Sequence, residues 1–248
     1  MGGFENLVGS NSHDTLTGNN AANKLLGMGG NDTLNGNGGN DSLYGGDGND
    51  TLNGGDGNDT LVGGLGGDML NGGDGIDTAD YSSTATPIRV NLSSGTGIGG
   101  DAERDTLTLI ENIIGSGSFD ILIGDNGNNV LVGGGQGDKL TGGLGNDTFM
   151  YRDILDAELD EDETIEDFTS GDIIDLYAID ANANTANIND QFVIVTNFTG
   201  QAGQLSFEEF EFQTVVRGDV NGDSIADFRF YVEFSGEARN LTASDFIL

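Results

Sequence analysis

The chain has 248 residues, 42 of them Asp or Glu against 8 Lys or Arg, for a formal net charge of -34. That excess excludes a partner held by phosphate attraction, whether nucleic acid or an anionic membrane surface, and it opposes compaction unless something neutralises the acids. With 44 glycines, one proline and no cysteine, neither a disulfide nor a thiolate metal site can hold the chain, and a bound cation is the obvious remedy.

In chain order, the first element is an apolar lead-in, Phe4-Glu5-Asn6-Leu7-Val8-Gly9-Ser10, which is repeated as Ile110-Glu111-Asn112-Ile113-Ile114-Gly115-Ser116. The first copy starts almost at Met1, so more protein is expected upstream. Met1–Glu5 lack the basic and apolar parts of a secretory signal, and no apolar run approaches the ~18 residues of a membrane span, so membrane insertion is not expected.

From residue 9 to 80 the sequence frames into eight nonamers without insertion, typified by GGDGNDTLN at 45–53, and four more fill 115–150. Position 1 is always Gly. Position 6 is Asp except at Asn23 and Asn129, and position 8 is Leu except at Ala79 and Phe149. Glycine permits positive φ, so six residues can turn tightly with carbonyls pointing inward. The next three extend as a short strand whose position-8 side chain enters the core. Two units make one coil of a flattened solenoid, with a row of turns along each edge. Turns two units apart then bring carbonyls and position-6 carboxylates together, an all-oxygen set suited to Ca²⁺ and unlike the nitrogen and sulfur ligands of zinc or copper.

On this geometry Asp14, Asp32, Asp50 and Asp68 share one edge, and Asn23, Asp41, Asp59 and Asp77 the other. In the second array Asp120 pairs with Asp138 and Asn129 with Asp147. The turn residues offered to the ions are Gly27, Gly29, Gly30, Gly36, Gly38, Gly39, Gly45, Asp47, Gly48, Gly54, Asp56, Gly57, Gly63, Gly66, Gly72 and Gly75, then Gly133, Gly142 and Gly145. About eight calcium sites at millimolar-class affinity, each worth ~1.4 kcal/mol at tenfold excess over Kd, would contribute ~11 kcal/mol. That is comparable to the stability of a whole domain, so calcium decides whether the roll forms.

These units resemble the RTX nonapeptide GGxGxDxUx, whose parallel β-roll binds calcium. The resemblance implies a segment that stays unfolded at cytosolic calcium and folds outside the cell.

Between the arrays, an alternating strand at Ile88–Leu92, a polar Gly-rich loop at 93–105 and a strand at Thr106–Ile110 are predicted. The segment reads as two irregular coils of the same roll; Asp101, Glu103 and Asp105 in its loop suit either an ion site or a solvated turn. After Met150 the nine-residue period stops. An acidic run, Asp160-Glu161-Asp162-Glu163, precedes Ile165-Glu166-Asp167-Phe168-Thr169-Ser170-Gly171-Asp172, and strands follow at Gln191–Val195, Gln204–Phe207, Phe212–Arg217 and Phe228–Phe234. The loop between the last two places Asp219, Asn221, Asp223 and Asp227 at EF-hand-like spacing, but Ser224 and Phe230 stand where that motif needs Gly and Glu. A tight polar hairpin and a weak calcium site both remain open there.

From Asp77 onward, DTADYS, RVNL, IENIIGS, four repeats ending GNDTF, IEDFTSGDIIDL, DVNGDSIADF and a final DFIL together resemble the C-terminal half of the serralysin metalloproteases. The resemblance implies a β-roll followed by a compact β-rich domain that carries the secretion address. Asp245-Phe246-Ile247-Leu248 fits the acidic-plus-three-apolar ending of proteins exported by the type I, ABC-transporter route. Asp167 and Asp172 fall in a segment that either completes a last calcium shell or forms a solvated acidic turn. The family's catalytic HExxH and third histidine are absent. His13 is the only histidine, so neither a zinc protease nor a Ser-His-Asp triad can be built.

The expected fold is therefore all-β, a parallel β-roll in two arrays and a small C-terminal β domain, divided at 1–80, 81–114, 115–150 and 151–248. The expected role is a secreted, non-catalytic calcium-binding module of a larger exported protein. The competing role is a structural or adhesive surface protein, an S-layer or adhesin segment, in which the roll is the working part.

Overall fold

A computed structural model describes residues 6–157, 159, 162–185, 190–235 and 239–248. Phe4 and Glu5 of the first lead-in and Asp160 and Glu161 of the acidic run lie outside the described residues. The chain forms two compact units, one of residues 1–117 with 123–125, the other of 118–122 with 126–248.

In the first unit, two parallel sheets alternate coil by coil. One runs Asn6–Val8, Lys24–Gly29, Ser42–Asp47, Thr60–Leu65, Thr78–Asp80, Asn112–Ile114. The other runs Thr15–Thr17, Thr33–Gly38, Thr51–Asp56, Met69–Asp74, Thr106–Thr108. Pairing Leu25 with Leu43 and Leu34 with Leu52 sets a register of 18 residues, two nonamers per coil. A one-residue slip would turn every leucine outward. Leu25, Leu34, Leu43, Leu52 and Leu61 are completely buried.

The strands in the middle of this array have six residues, twice the expected three. Pairing continues through the glycines, as in Met28 with Gly46 and Gly29 with Asp47. Gly48 at φ 140° shows the glycine requirement, because a Cβ there would strike the carbonyl of Gly30.

The bridging segment does extend the roll. Thr106–Thr108 pairs in parallel with Met69–Asn71, and Asn112–Ile114 with Thr78–Asp80. Its Gly-rich loop is more ordered than expected, since Thr96–Ile98 pairs antiparallel with Arg89–Asn91 and Gly100–Ala102 forms a 3₁₀ turn.

In the second unit the array strands are short: Val130–Val132, Lys139–Thr141 and Thr148–Met150. Val130–Val132 leads in parallel to Thr148–Met150, Ile173–Asp175 and the terminal Phe246–Ile247. Lys139–Thr141 leads to Thr164–Phe168 and Phe228–Phe234. Gln213–Asp219 and Gln204–Glu209 then add antiparallel, and Val193–Val195 pairs in parallel with the latter. Aromatic rings fill this end: Tyr151 stacks on Phe230 at 4.7 Å and Phe207 on Phe246 at 5.4 Å.

Candidate calcium columns

Along the arrays the position-6 aspartates share one role. Oδ1 accepts the backbone N–H of the counterpart one coil earlier: Asp32 from Asp14 at 2.8 Å, Asp50 from Asp32 at 2.7 Å, Asp68 from Asp50 at 2.8 Å. Asn23 instead accepts from Asn19. On the other edge Asp41 accepts from Asn23, Asp59 from Asp41 and Asp77 from Asp59. In the second unit Asp138 accepts from Asp120 and Asp147 from Asn129. The expected columns are therefore continuous ladders inside each unit.

The second oxygen is different. Oδ2 of Asp32, Asp41, Asp50, Asp59, Asp68, Asp77 and Asp138 is buried without a hydrogen-bond partner. An unpaired buried carboxylate oxygen is costly, and it recurs at one place in coil after coil, where a cation would fit. Each lies against the position-1 glycine. A Cβ at Gly27, Gly36, Gly45 or Gly54 would meet the Oδ2 of Asp32, Asp41, Asp50 or Asp59, and also the carbonyl of Gly45, Gly54, Gly63 or Gly72 on the next coil. At Gly63, Gly133 and Gly142 the nearest atoms are those of Asp68, Asp138 and Asp147. One carboxylate oxygen and stacked glycine carbonyls are hard oxygen donors, and this set fits Ca²⁺.

Among the described residues no group of three or more His, Cys, Asp or Glu side chains gathers as a metal cluster. Each site would thus take one carboxylate per turn with carbonyls supplying the rest. Burial drives these acids toward the neutral form: Asp41 and Asp77 are raised to about 6 and Asp68 to about 7, with neighbouring carboxylates adding to the effect. Asp50 and Asp59 move the same way for the same first cause. Burial, with Glu163 alongside, pushes Asp138 well above the ordinary carboxylate range.

Three column members were not assigned from the repeats. Asp105 accepts the Asp68 N–H at 2.8 Å, Glu111 that of Asp77 at 2.8 Å, and Glu163 that of Asp138 at 2.6 Å. They lie 37, 34 and 25 residues away instead of 18, so the nine-residue period carries no signal for them. Asp105 is buried, whereas Glu103 is exposed and accepts the Gly99 N–H.

The other expected residues form and flank the turns. Asp47 and Asp56 expose their side chains, and their carbonyls accept the N–H groups of Gly30 and Gly39. Gly57, Gly66, Gly75 and Gly145 are positive-φ turn glycines stacked on the preceding coil. Gly29 and Gly38 end their strands, and Gly30 and Gly39 turn with positive φ. Asp172 does join its column, accepting the Asp147 N–H at 2.9 Å, while Asp167 accepts those of Gly142 and Gly143. Around Asp219 the loop closes on itself: Asp219 accepts from Gly222 and Ser224, Asp227 from Val220 and Asn221, and Asp223 from Ile225. Asn221 accepts the Asp223 N–H. His13 takes a turn position, its Nδ1 accepting the Asn31 N–H at 3.0 Å.

A family model described as Peptidase M10 serralysin C terminal matches residues 69–248. The RTX calcium-binding nonapeptide repeat model matches residues 2–34, 26–61 and 44–79. No curated protein matches the chain. Among solved structures, the extracellular lipase LipA from Serratia marcescens is similar over 97% of this chain and 39% of its own, at 14% identity and a TM-score of 0.33. The AlgE6R3 subunit of the Azotobacter vinelandii mannuronan C5-epimerase is similar over 96% of this chain and 80% of its own, at 19% identity and a TM-score of 0.20. The chain spans well under half the length of the lipase.

Proposed function

The chain belongs to the serralysin C-terminal family, and from that premise we propose that it is the non-catalytic, calcium-folded export module of a larger secreted protein. RTX nonapeptide repeats bind calcium. In the proposed cycle the chain leaves the cell unfolded through type I, ABC-transporter machinery, with Asp245–Leu248 as its address. Outside, on the order of eight ions fill the columns and drive folding. The four segments 1–80, 81–114, 115–150 and 151–248 are proposed as first array, bridge, second array and address-bearing domain.

The observation that carries this reading is the set of seven buried aspartate oxygens, spread over separate ladders and left without a partner, each against a glycine. When bound, calcium supplies the positive charge that lets these carboxylates stay ionised and buried. The chain's own part is to hold Oδ1 on the preceding coil's amide, which aims Oδ2 into the turn. Among the described residues no helix is long and apolar enough to cross a membrane.

Calcium titration followed by far-UV circular dichroism tests the proposal. A cooperative coil-to-β transition is expected, because each ion joins neighbouring coils; a fully folded spectrum in excess chelator would refute it. Deleting Asp245–Leu248 should retain the protein inside cells that carry the matching exporter, and unimpaired release would remove the address from the account.

A further inference from the structure

The ninth position of each repeat points away from the core leucines, and it differs between the two sheets of the first unit. On one sheet it holds Leu26, Tyr44 and Val62, and on the other Asn35, Asn53 and Asn71. The parallel register stacks these asparagine amides one coil apart. Asn53 Nδ2 donates to Asn35 Oδ1 at 3.0 Å, Asn71 Nδ2 to Asn53 Oδ1 at 3.4 Å, and the Thr108 hydroxyl to Asn71 Oδ1 at 3.4 Å. Thr17 and Thr108 hold the same register position on the flanking coils.

Because every repeat opens with glycine, each of these asparagines precedes one, in Asn35-Gly36, Asn53-Gly54 and Asn71-Gly72. The other Asn-Gly pairs, Asn37-Gly38, Asn126-Gly127 and Asn221-Gly222, lie outside this row. Asn-Gly is the sequence in which an asparagine side chain is attacked most easily by its own backbone, since glycine adds no side chain to obstruct the approach. The glycine nitrogen bonds to the asparagine Cγ, and Nδ2 departs as ammonia, taking the amide proton. Water then adds across one C–N bond of the five-membered imide, its hydroxyl to the carbonyl carbon and its proton to the nitrogen. Opening at one carbonyl gives aspartate. Opening at the other gives isoaspartate, whose main chain is longer by one carbon.

The folded roll blocks the first step. Thr33–Gly38, Thr51–Asp56 and Met69–Asp74 are extended strands, whereas ring closure rotates the asparagine ψ away from the parallel-strand value of about +115°. The stacked amides also hold each Cγ in place. The unwound chain has neither restraint. The glycines concerned all serve one edge. A Cβ at Gly36, Gly54 or Gly72 would meet the Oδ2 of Asp41, Asp59 or Asp77, so an extra main-chain carbon there displaces the turn those acids occupy. On the other edge Asp32, Asp50 and Asp68 face Gly27, Gly45 and Gly63, which follow Leu26, Tyr44 and Val62 and have no amide to form the imide.

We propose that Asn35, Asn53 and Asn71 are deamidation sites gated by folding, closed in the wound roll and open in the unwound chain. The damage falls on the column of Asp41, Asp59 and Asp77. The inference rests on the calcium reading above only for the agent that closes the gate.

Peptide mapping that separates asparagine, aspartate and isoaspartate tests the gate. The full chain is aged in parallel at mildly alkaline pH, with saturating calcium or with chelator. Conversion at the three sites should run at least roughly tenfold slower in calcium, because attack tracks the population of opened strand. Equal conversion in the two samples, with β structure present in calcium and lost in chelator, overturns the proposal. A chain folded in both samples overturns the calcium reading alone, and urea in place of chelator then decides the gate by the same comparison; a chain folded in neither overturns both. A variant supplies the second arm. Asn35→Thr, Asn53→Thr and Asn71→Thr together place at these positions the residue found at Thr17 and Thr108. After aging in chelator and return to calcium, this variant should recover a larger share of its unaged β signal than the wild type does. Equal recovery overturns the assignment of the damage to these three sites.

Discussion

The coils at 24–80 and the strands at 204–246 bury acids in opposite ways. In the coils Asp32, Asp41, Asp50, Asp59, Asp68 and Asp77 each keep one buried oxygen without a donor. In the terminal strands the acids are closed by the chain itself. Asp219 accepts two backbone amides, and Asp245 accepts the N–H and hydroxyl of Thr242 and pairs with Arg239. The cores differ in parallel. Two rows of leucines, one from each sheet, run through the coils, while Phe192, Phe228 and Phe230 pack ring on ring in the terminal region, each such pair adding about 0.5–1.5 kcal/mol beyond its buried area. The lesson is that an acidic chain can satisfy its carboxylates internally or bury an oxygen with no donor of its own, and this one does both in different places.

The largest expected effect is a regional split. In excess chelator, amides of residues 24–80 should lose protection from hydrogen exchange while those of 213–234 keep it; simultaneous loss would show that the terminal strands also need the ions. Core truncation sharpens the contrast. Leu43→Ala and Phe230→Ala should each cost about 2–5 kcal/mol in urea unfolding at saturating calcium. Only Leu43→Ala should markedly raise the calcium midpoint of the roll.

Smaller effects are expected at the glycines. Gly45→Ala drives a Cβ against Asp50 Oδ2 and the Gly63 carbonyl, a clash in the range of 1–3 kcal/mol, read as weakened calcium response. Gly117→Ala, with open space around it, should stay within about 0.5 kcal/mol of wild type. An equal response at both positions would break the link between position-1 glycine and the ion.

The mildest effect is on pH. Burial raises Asp41, Asp77 and Asp105 to about 6 and Asp68 to about 7, so the calcium-free roll binds more protons than the unfolded chain. Its stability from these groups is full below the ordinary carboxylate range near pH 4 and is lost as pH rises through about 6–7. Circular dichroism in chelator should show β structure increasing as pH falls from about 8 to about 5. The calcium midpoint should rise over the same range, because ions must then displace protons. A β signal that weakens on acidification would contradict this.

Much of this was legible in the sequence because each repeat column has a single physical duty. Leucine at position 8 fixes the inward face, and aspartate at position 6 fixes the ladder, so the 18-residue register follows from counting. The six-residue strands were not legible, since nothing in Gly-Gly-Asp marks pairing through a glycine turn. Asp105, Glu111 and Glu163 were hidden for a related reason. They close the ladders from outside the repeats, where only the three-dimensional path brings them opposite Asp68, Asp77 and Asp138.

The central claim is that calcium occupies the glycine-turn columns, and a crystal structure of the chain grown with calcium tests it most directly. The account predicts ions about 2.3–2.6 Å from the second oxygens of Asp32, Asp41, Asp50 and Asp59 and from the facing glycine carbonyls. An ordered roll whose columns hold no ion at those oxygens would contradict it.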